Sequence, residues 1–319
     1  MKNRIAVFAS LCGLFCLMFA SPQVIGCARD ALKLCAELIL PSLFPFFVLS
    51  ILLSKLGLPA ALGRLLSPAA SRLFGVSGAG ASALFIGLCG GYPMGAAYIA
   101  EMAAFGAVSR EEAERLLGFC NNSGPAFIVG AVGAGIFGSS AVGLALYGIH
   151  ILAAVLTGLL LRGRGFSSPA PPPPTETPPF SAALPQAVKQ AVSAALSVCG
   201  FVVCFTVLAG LLDAVGWFSL LAGSLSALTG VELHFSRALL TGILELGSGV
   251  GAMRGLSLSP ANLALAAGML GWGGVSVHFQ TLSLFSDMDI KTALHFAGRV
   301  ISGILSAFLA WLFAFFFLY

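Results

Sequence analysis

Apolar runs long enough to cross a bilayer recur along the whole chain. Three of them are broken in the middle, by Gly90-Gly91-Tyr92-Pro93, by Asn121-Asn122-Ser123-Gly124-Pro125 and by Gly271-Trp272-Gly273-Gly274. Lipid offers no partner to a freed N–H or C=O, so a break at membrane depth survives only where it faces protein or a wet cavity. A soluble domain carries about a quarter charged residues; this chain of 319 residues carries 9%, with a mean hydropathy of +1.00. The fold class this implies is an all-α polytopic membrane protein whose breaks gather in its interior, and the bilayer is its first partner.

The segments fall in a repeated order. Residues 1–28 hold an N-terminal transmembrane helix, with its apolar run at 5–21 behind Lys2 and Arg4. Read instead as a signal peptide, that run would be cut after Ala20, but Met18 is not the small residue such a site prefers. The first repeat, 29–165, has a span at 32–54 interrupted by Pro41 and Pro45. An amphipathic interfacial segment follows at 58–74, with Arg64 and Arg72 on its polar face. A re-entrant hairpin at 78–105 turns at 90–93, and a helix at 109–138 opens on Ser109 and Glu112 like a capping box and breaks at 121–125. A last span covers 141–161. Residues 166–183 are a proline-rich linker. The second repeat, 184–319, gives a span at 184–214, an interfacial segment at 217–229, a glycine-broken hairpin at 236–256, a helix at 260–286 broken at 271–274, and a span at 292–318. His150 and His295 fall at equivalent positions and share Val and Gly spacing after them, which implies one packing or hydrogen-bonding role in both halves.

Charge placement orients the repeats. With the N-terminus inside and each hairpin returning to its own side, Lys2, Arg4, Lys55, Arg64, Arg72, Arg110, Arg115, Arg162, Arg164, Lys189, Lys291 and Arg299 reach the inner face. Only Arg29, Lys33, Arg237 and Arg254 reach the outer one. That asymmetry follows the positive-inside rule and makes the two repeats inverted. Inverted repeats with discontinuous helices place a solute near the midplane, where freed backbone groups and half-helix N-termini can meet it.

The candidate solute-binding residues follow from the breaks. Gly91, Tyr92 and Pro93 form the first hairpin tip, where Tyr92 either stacks on an aromatic solute or packs. Asn121, Asn122 and Ser123 put three hydrogen-bonding side chains at midplane, for solute coordination or as glue between helices. Ser276, His278 and Gln280 alternate after the second break, in an extended stretch or one polar helical turn. Glu245, with Ser248 nearby, is an intramembrane carboxylate: a coupling site for H+ or Na+, a partner of Arg254, or a half-helix cap. Arg254 itself reads as a snorkelling interfacial residue, and Glu37 and Glu101 as structural. The polar partner expected at the breaks is a small-molecule solute, and a homo-oligomer is left open.

Other chemistries lack their residues. There is no basic run for nucleic acid, no Walker A lysine, no HExxH and no nucleophile–base pair, so the expectation is a non-enzyme without cofactor or metal. Gly133, Gly135 and Gly138 spell GxGxxG, but no strand–turn–helix unit surrounds them. The eight cysteines form no CxxC and read as small apolar helix residues.

Three strings, GLCGGYPMGA at 87–96, SREEAERLLGFCNNSGPAFIVGAV at 109–132 and GWGGVSVHFQ at 271–280, resemble the YlbJ-type sporulation integral membrane proteins. These belong to the nucleoside-recognition Gate superfamily, whose paired gate regions resemble those of concentrative nucleoside transporters. The resemblance spans about residues 30–318. It implies two gate repeats and a role in spore formation, in which dipicolinic acid moves from mother cell to forespore across the outer forespore membrane. A nucleoside, another small carboxylate, or a non-transporting role in a sporulation complex are the alternatives it leaves.

Overall fold

The computed structural model describes residues 2–19, 21–163 and 177–317. Ala20, Arg164 and the linker residues 166–176 lie outside the described residues. Among those described, the chain is helical throughout, without strands.

After α1 (Lys2–Phe19), α2 (Ser21–Leu34) runs through a π-helical turn (Cys35–Ile39) into α3 (Leu40–Lys55), giving one apolar span over Pro22–Lys55. The expected boundary at 28/29 therefore falls inside a continuous helix, and Pro41 and Pro45 do not interrupt it. Proline lacks an N–H and crowds the carbonyl four residues back. Here the ladder shifts register just before Pro41: Leu40 N–H donates to Cys35 O, five residues back. The Ser42 hydroxyl then donates to Leu38 O at 2.6 Å, adding a side-chain bond to the ladder just where the prolines withdraw backbone donors.

The amphipathic segment is α4 (Leu58–Phe74), which meets α5 (Gly78–Gly90) at a 95° bend. With α5 entering the membrane, α4 lies across it, as an interfacial helix does. The hairpin closes through α6 (Met94–Ala104) after a turn at Gly91–Pro93. Then α7 (Arg110–Phe119) is followed by an irregular stretch over 120–125, a second π segment (Ala126–Ile136) and α8 (Ser140–Leu160). Ser109 caps α7 by accepting from Glu112 N–H at 3.2 Å, but the capping box stays half-closed. The Glu112 carboxylate is instead buried and accepts from Ser77 N–H at 2.6 Å, pinning the start of α5 to α7.

The second repeat opens with α9 (Phe180–Ala214), so residues 180–183 belong to a helix and not to the linker. The reason is packing: Ala183, Ala187, Ala191 and Ala195 form a buried stripe at helical spacing that starts inside the segment assigned to the linker. Next come α10 (Trp217–Thr229), α11 (Leu233–Leu244), α12 (Leu246–Gly251), α13 (Pro260–Trp272), α14 (Gly274–Ser283) and α15 (Ala293–Phe317). The second hairpin breaks at a single residue, Glu245, held extended at φ −143° and ψ 116°. The break of the second long helix is Gly273.

Small residues let these helices approach to backbone contact, the usual device where lipid supplies no hydrophobic drive between helices. A methyl on Gly271 would lie 2.6 Å from Ser302 O on α15, and one on Gly133 would lie 2.4 Å from the Gly143 Cα on α8. The latter accounts for the GxGxxG string as helix packing.

Two ion-paired groups sit at helix ends. Glu114 accepts from Arg110 and from Lys291 N–H, and Arg110 also pairs with Asp289, so the start of α7 and the α14–α15 loop share one end. Arg237 pairs with Asp213 at 2.6 Å, at the C-terminal end of α9. Arg299 departs from its expected place at the inner face: it is fully buried.

Candidate functional site

The four breaks touch one another. Gly91, at φ 78°, lies in a region that only glycine enters cheaply, and a Cβ there would sit 2.7 Å from Gly124 N. Gly273, at φ 90°, lies under the Tyr92 phenol, with a Cβ position 3.0 Å from Tyr92 Oη. Gly274 completes the chain of contacts, since its Cβ would approach Leu246 N to 2.9 Å. Each hairpin tip therefore meets its own repeat's broken helix backbone to backbone, and the Tyr92 side chain on Gly273 joins the two repeats.

Beside this junction lies a partly open cavity with about 460 Å3 of non-atom space, open solvent included. The first repeat lines it with Tyr92, Ser123, Gly124 and Phe127. The second contributes Glu245, Leu246, Gly247, Val277 and Gln280, and Ile39, Leu43, Val198 and Val202 complete an apolar wall. Such a lining, apolar with a few converging polar groups, suits a small organic solute.

Of the sequence-derived candidates, Tyr92, Ser123, Glu245 and Gln280 line this cavity, while Gly91 and Pro93 shape the tip that carries Tyr92. Asn121 and Asn122 do not line it; they hold the protein together. Asn121 accepts from Ala96 N–H at 3.3 Å and donates to Thr281 Oγ1 at 2.8 Å, tying the first break to α6 and to α14. Asn122 donates to Phe119 O at 2.8 Å and accepts from Arg299. Ser123 faces the cavity, donates to Leu270 O at 3.3 Å and is held through its N–H by His150 Nε2 at 3.1 Å.

Ser276, His278 and Gln280 sit on helix α14, not on an extended stretch. Residues four apart share a helical face and a residue two away does not. Gln280 accordingly lines the cavity with its Oε1 unpartnered, and Ser276 is buried beneath it. His278 points elsewhere, edge-on to Trp272 at 4.2 Å and bonded to His295 at 2.9 Å. Ser248 is also turned away from the cavity, bonded to Thr206 Oγ1 at 2.7 Å. Glu245 is the half-helix cap: its carboxylate accepts from Gly247 N–H at 3.0 Å and Ser248 N–H at 2.5 Å. Arg254 is exposed and makes no pair with it.

The equivalent histidines do play matching parts. His150 Nε2 accepts from the first broken helix at Ser123. Leu117 O can only accept, so His295 donates to it from Nδ1, and the neutral ring's Nε2 accepts from His278 Nδ1 in the second broken helix.

The group that sequence reasoning missed is Arg299. Its guanidinium donates to Tyr92 Oη at 3.0 Å, to Gly118 O at 3.1 Å and to Asn122 Oδ1 at 3.4 Å. The signal was present, because an arginine inside an apolar span marks function by default. It lies six residues past the start of α15, about 9 Å along the axis, near enough to the helix end to be counted with the inner-face charges.

The chain is 31% identical over 305 residues to the sporulation integral membrane protein YlbJ of Bacillus subtilis (strain 168), covering 88% of this chain and 75% of that one. The chain belongs to the YlbJ family. No family model matches it. Among solved structures, CNTnw, a concentrative nucleoside transporter, is similar in an outward-facing state, with TM-score 0.57 and 15% identity over 99% of this chain and 85% of that one. CNTnw in an inward-facing substrate-bound state gives TM-score 0.53 and 14% identity over 98% and 84%. At these identities the likeness is one of fold: two inverted repeats, each with a re-entrant hairpin and a broken helix. The family member here is thus an integral, multi-pass membrane protein with that architecture.

Proposed function

We propose that this protein carries a small planar aromatic carboxylate across the membrane through the central cavity, with dipicolinic acid entering the forespore across its outer membrane as the leading case. The observation that carries the reading is that breaks of both repeats line one cavity, Tyr92 and Ser123 from one and Glu245 and Gln280 from the other. A cavity shared between two repeats opens to alternate sides when one moves against the other. Its aromatic and aliphatic walls suit a flat ring. The amides of Gly124, Ala126 and Phe127 at the start of the second π segment have no preceding helical turn to bond, and they favour an anion. Membership of a sporulation family supports the compartment, and the carrier fold supports transport over catalysis.

Glu245 is the carboxylate in this lining. A buried carboxylate next to an anionic solute must be neutralised, so it is assigned as the site of the coupling H+ or Na+. The fold likeness to nucleoside transporters favours a nucleoside as the second reading.

Uptake into proteoliposomes decides between these. Labelled dipicolinate should accumulate, and unlabelled dipicolinate should compete better than uridine. Accumulation of uridine alone would establish the second reading. A folded, reconstituted protein that moves neither solute would return the chain to a non-transporting role in a sporulation complex.

A further inference from the structure

Arg299 is fully buried, and among the described residues no Asp or Glu carboxylate lies within 4.0 Å of it. Its hydrogen-bond partners, Tyr92 Oη, Gly118 O and Asn122 Oδ1, are all neutral, and its Nε has none. Neutral oxygens fix the direction of a guanidinium but do not cancel its charge, and taking such a charge out of water costs several kcal/mol. A cation held this way in a membrane interior is poised for an anion that is not part of the protein.

Of its side-chain partners, Tyr92 lines the cavity and Asn122 does not. Tyr92 and Ser123 share a further feature: both hydroxyls donate to the same carbonyl, Leu270 O, each at 3.3 Å. Hydroxyl donors favour about 2.7–2.8 Å, so both are loosely held, and both residues line the cavity. Arg299 donates to the Tyr92 oxygen, which polarises the phenol and strengthens its O–H as a donor.

We infer that Tyr92 and Ser123 form a carboxylate subsite, their hydroxyls leaving Leu270 to donate to one carboxylate of the solute, and that Arg299 sets the preference of this subsite for negative charge. Arg299 is a positioning residue, since it reaches the cavity through Tyr92. The inference rests on the transport reading only in placing the solute in this cavity.

The test is equilibrium binding to the full chain in nanodiscs, using pyridine-2,6-dicarboxylate and its neutral diamide as probes. The wild type should prefer the dicarboxylate. Arg299→Gln should reduce that preference about tenfold or more, Arg299→Lys should restore most of it, and Tyr92→Phe should reduce it like Arg299→Gln. A merely structural arginine would change both probes together. Where Arg299→Gln is not monodisperse, Tyr92→Phe decides. A wild type that binds the diamide as well as the dicarboxylate, or that binds neither, overturns the inference, as does a Tyr92→Phe protein with its preference intact. Proteoliposome uptake separates the two ideas: charge-selective binding without uptake sinks transport and leaves the subsite, whereas uptake indifferent to Arg299 and Tyr92 does the reverse.

Discussion

Gly298 on α15 is pressed against Gly118 on α7 so closely that a methyl group on Gly298 would fall 2.1 Å from the Gly118 carbonyl oxygen. That same carbonyl accepts from Arg299, so the glycine contact sets how deeply the arginine enters the site. Gly298→Ala must push the helices apart. Overpacking of this kind costs about 1–3 kcal/mol, and the Arg299–Gly118 bond should stretch with it. The expected result is a lower melting temperature in detergent and reduced solute binding. Gly200→Ala on α9 is the control, because nothing lies within 4 Å of its Cβ position; it should be neutral or gain up to about 1 kcal/mol from helix propensity.

The histidine pair allows a sharper substitution test. His295 donates to Leu117 O and accepts from His278 Nδ1, and both bonds are buried. His295→Leu orphans a donor and an acceptor at once, and each orphan costs about 1–3 kcal/mol. His295→Gln keeps one donor and one acceptor on a side chain of similar reach. Thermal unfolding should therefore rank wild type above the Gln variant, and the Gln variant above the Leu variant. Equal losses in the two would mean that the pair contributes packing alone.

Sidedness follows from the ion-paired ends. Arg110, Lys291 and Asp289 mark one end of the molecule, and Arg254 is exposed at the second hairpin, which opens from the other side. In a cysteine-free background, a membrane-impermeant maleimide should label Arg254→Cys from outside intact cells and should reach the exposed Asp287→Cys only after permeabilisation. Labelling of both from outside would refute the inverted arrangement.

Some of this was legible in the chain because lipid permits few explanations. A Gly-Gly-Tyr-Pro or Asn-Asn-Ser-Gly-Pro string inside an apolar run has to be a break, and the structure puts breaks there. The path through Pro41 was not legible, because its acceptance depends on a π turn and on Ser42, neither of which has a periodicity of its own. The roles of Asn121 and Arg299 were hidden for another reason. Their partners Thr281 and Gly118 lie 160 and 181 positions away, and no local pattern shows which face of a helix meets a segment so distant. Glu112 was half-read on the same account, its cap visible three residues away and its real partner, Ser77, 35 away.

Glu245 separates a structural role from a coupling role within one residue. Its carboxylate caps α12 through the amides of Gly247 and Ser248 while lining the cavity. Glu245→Ala removes both bonds and should lower stability by about 1–2 kcal/mol, the usual loss of a helix cap. Glu245→Gln keeps an amide oxygen for the cap and should cost less. Neither variant can exchange a proton or balance a sodium ion. If Glu245 carries the coupling ion, downhill exchange of labelled dicarboxylate across proteoliposomes should survive in the Gln variant, while accumulation driven by an imposed pH or sodium gradient should vanish. Measured side by side, exchange and driven uptake falling together in Glu245→Gln would confine this carboxylate to capping and place the coupling ion elsewhere. Driven uptake lost alone would assign it to Glu245.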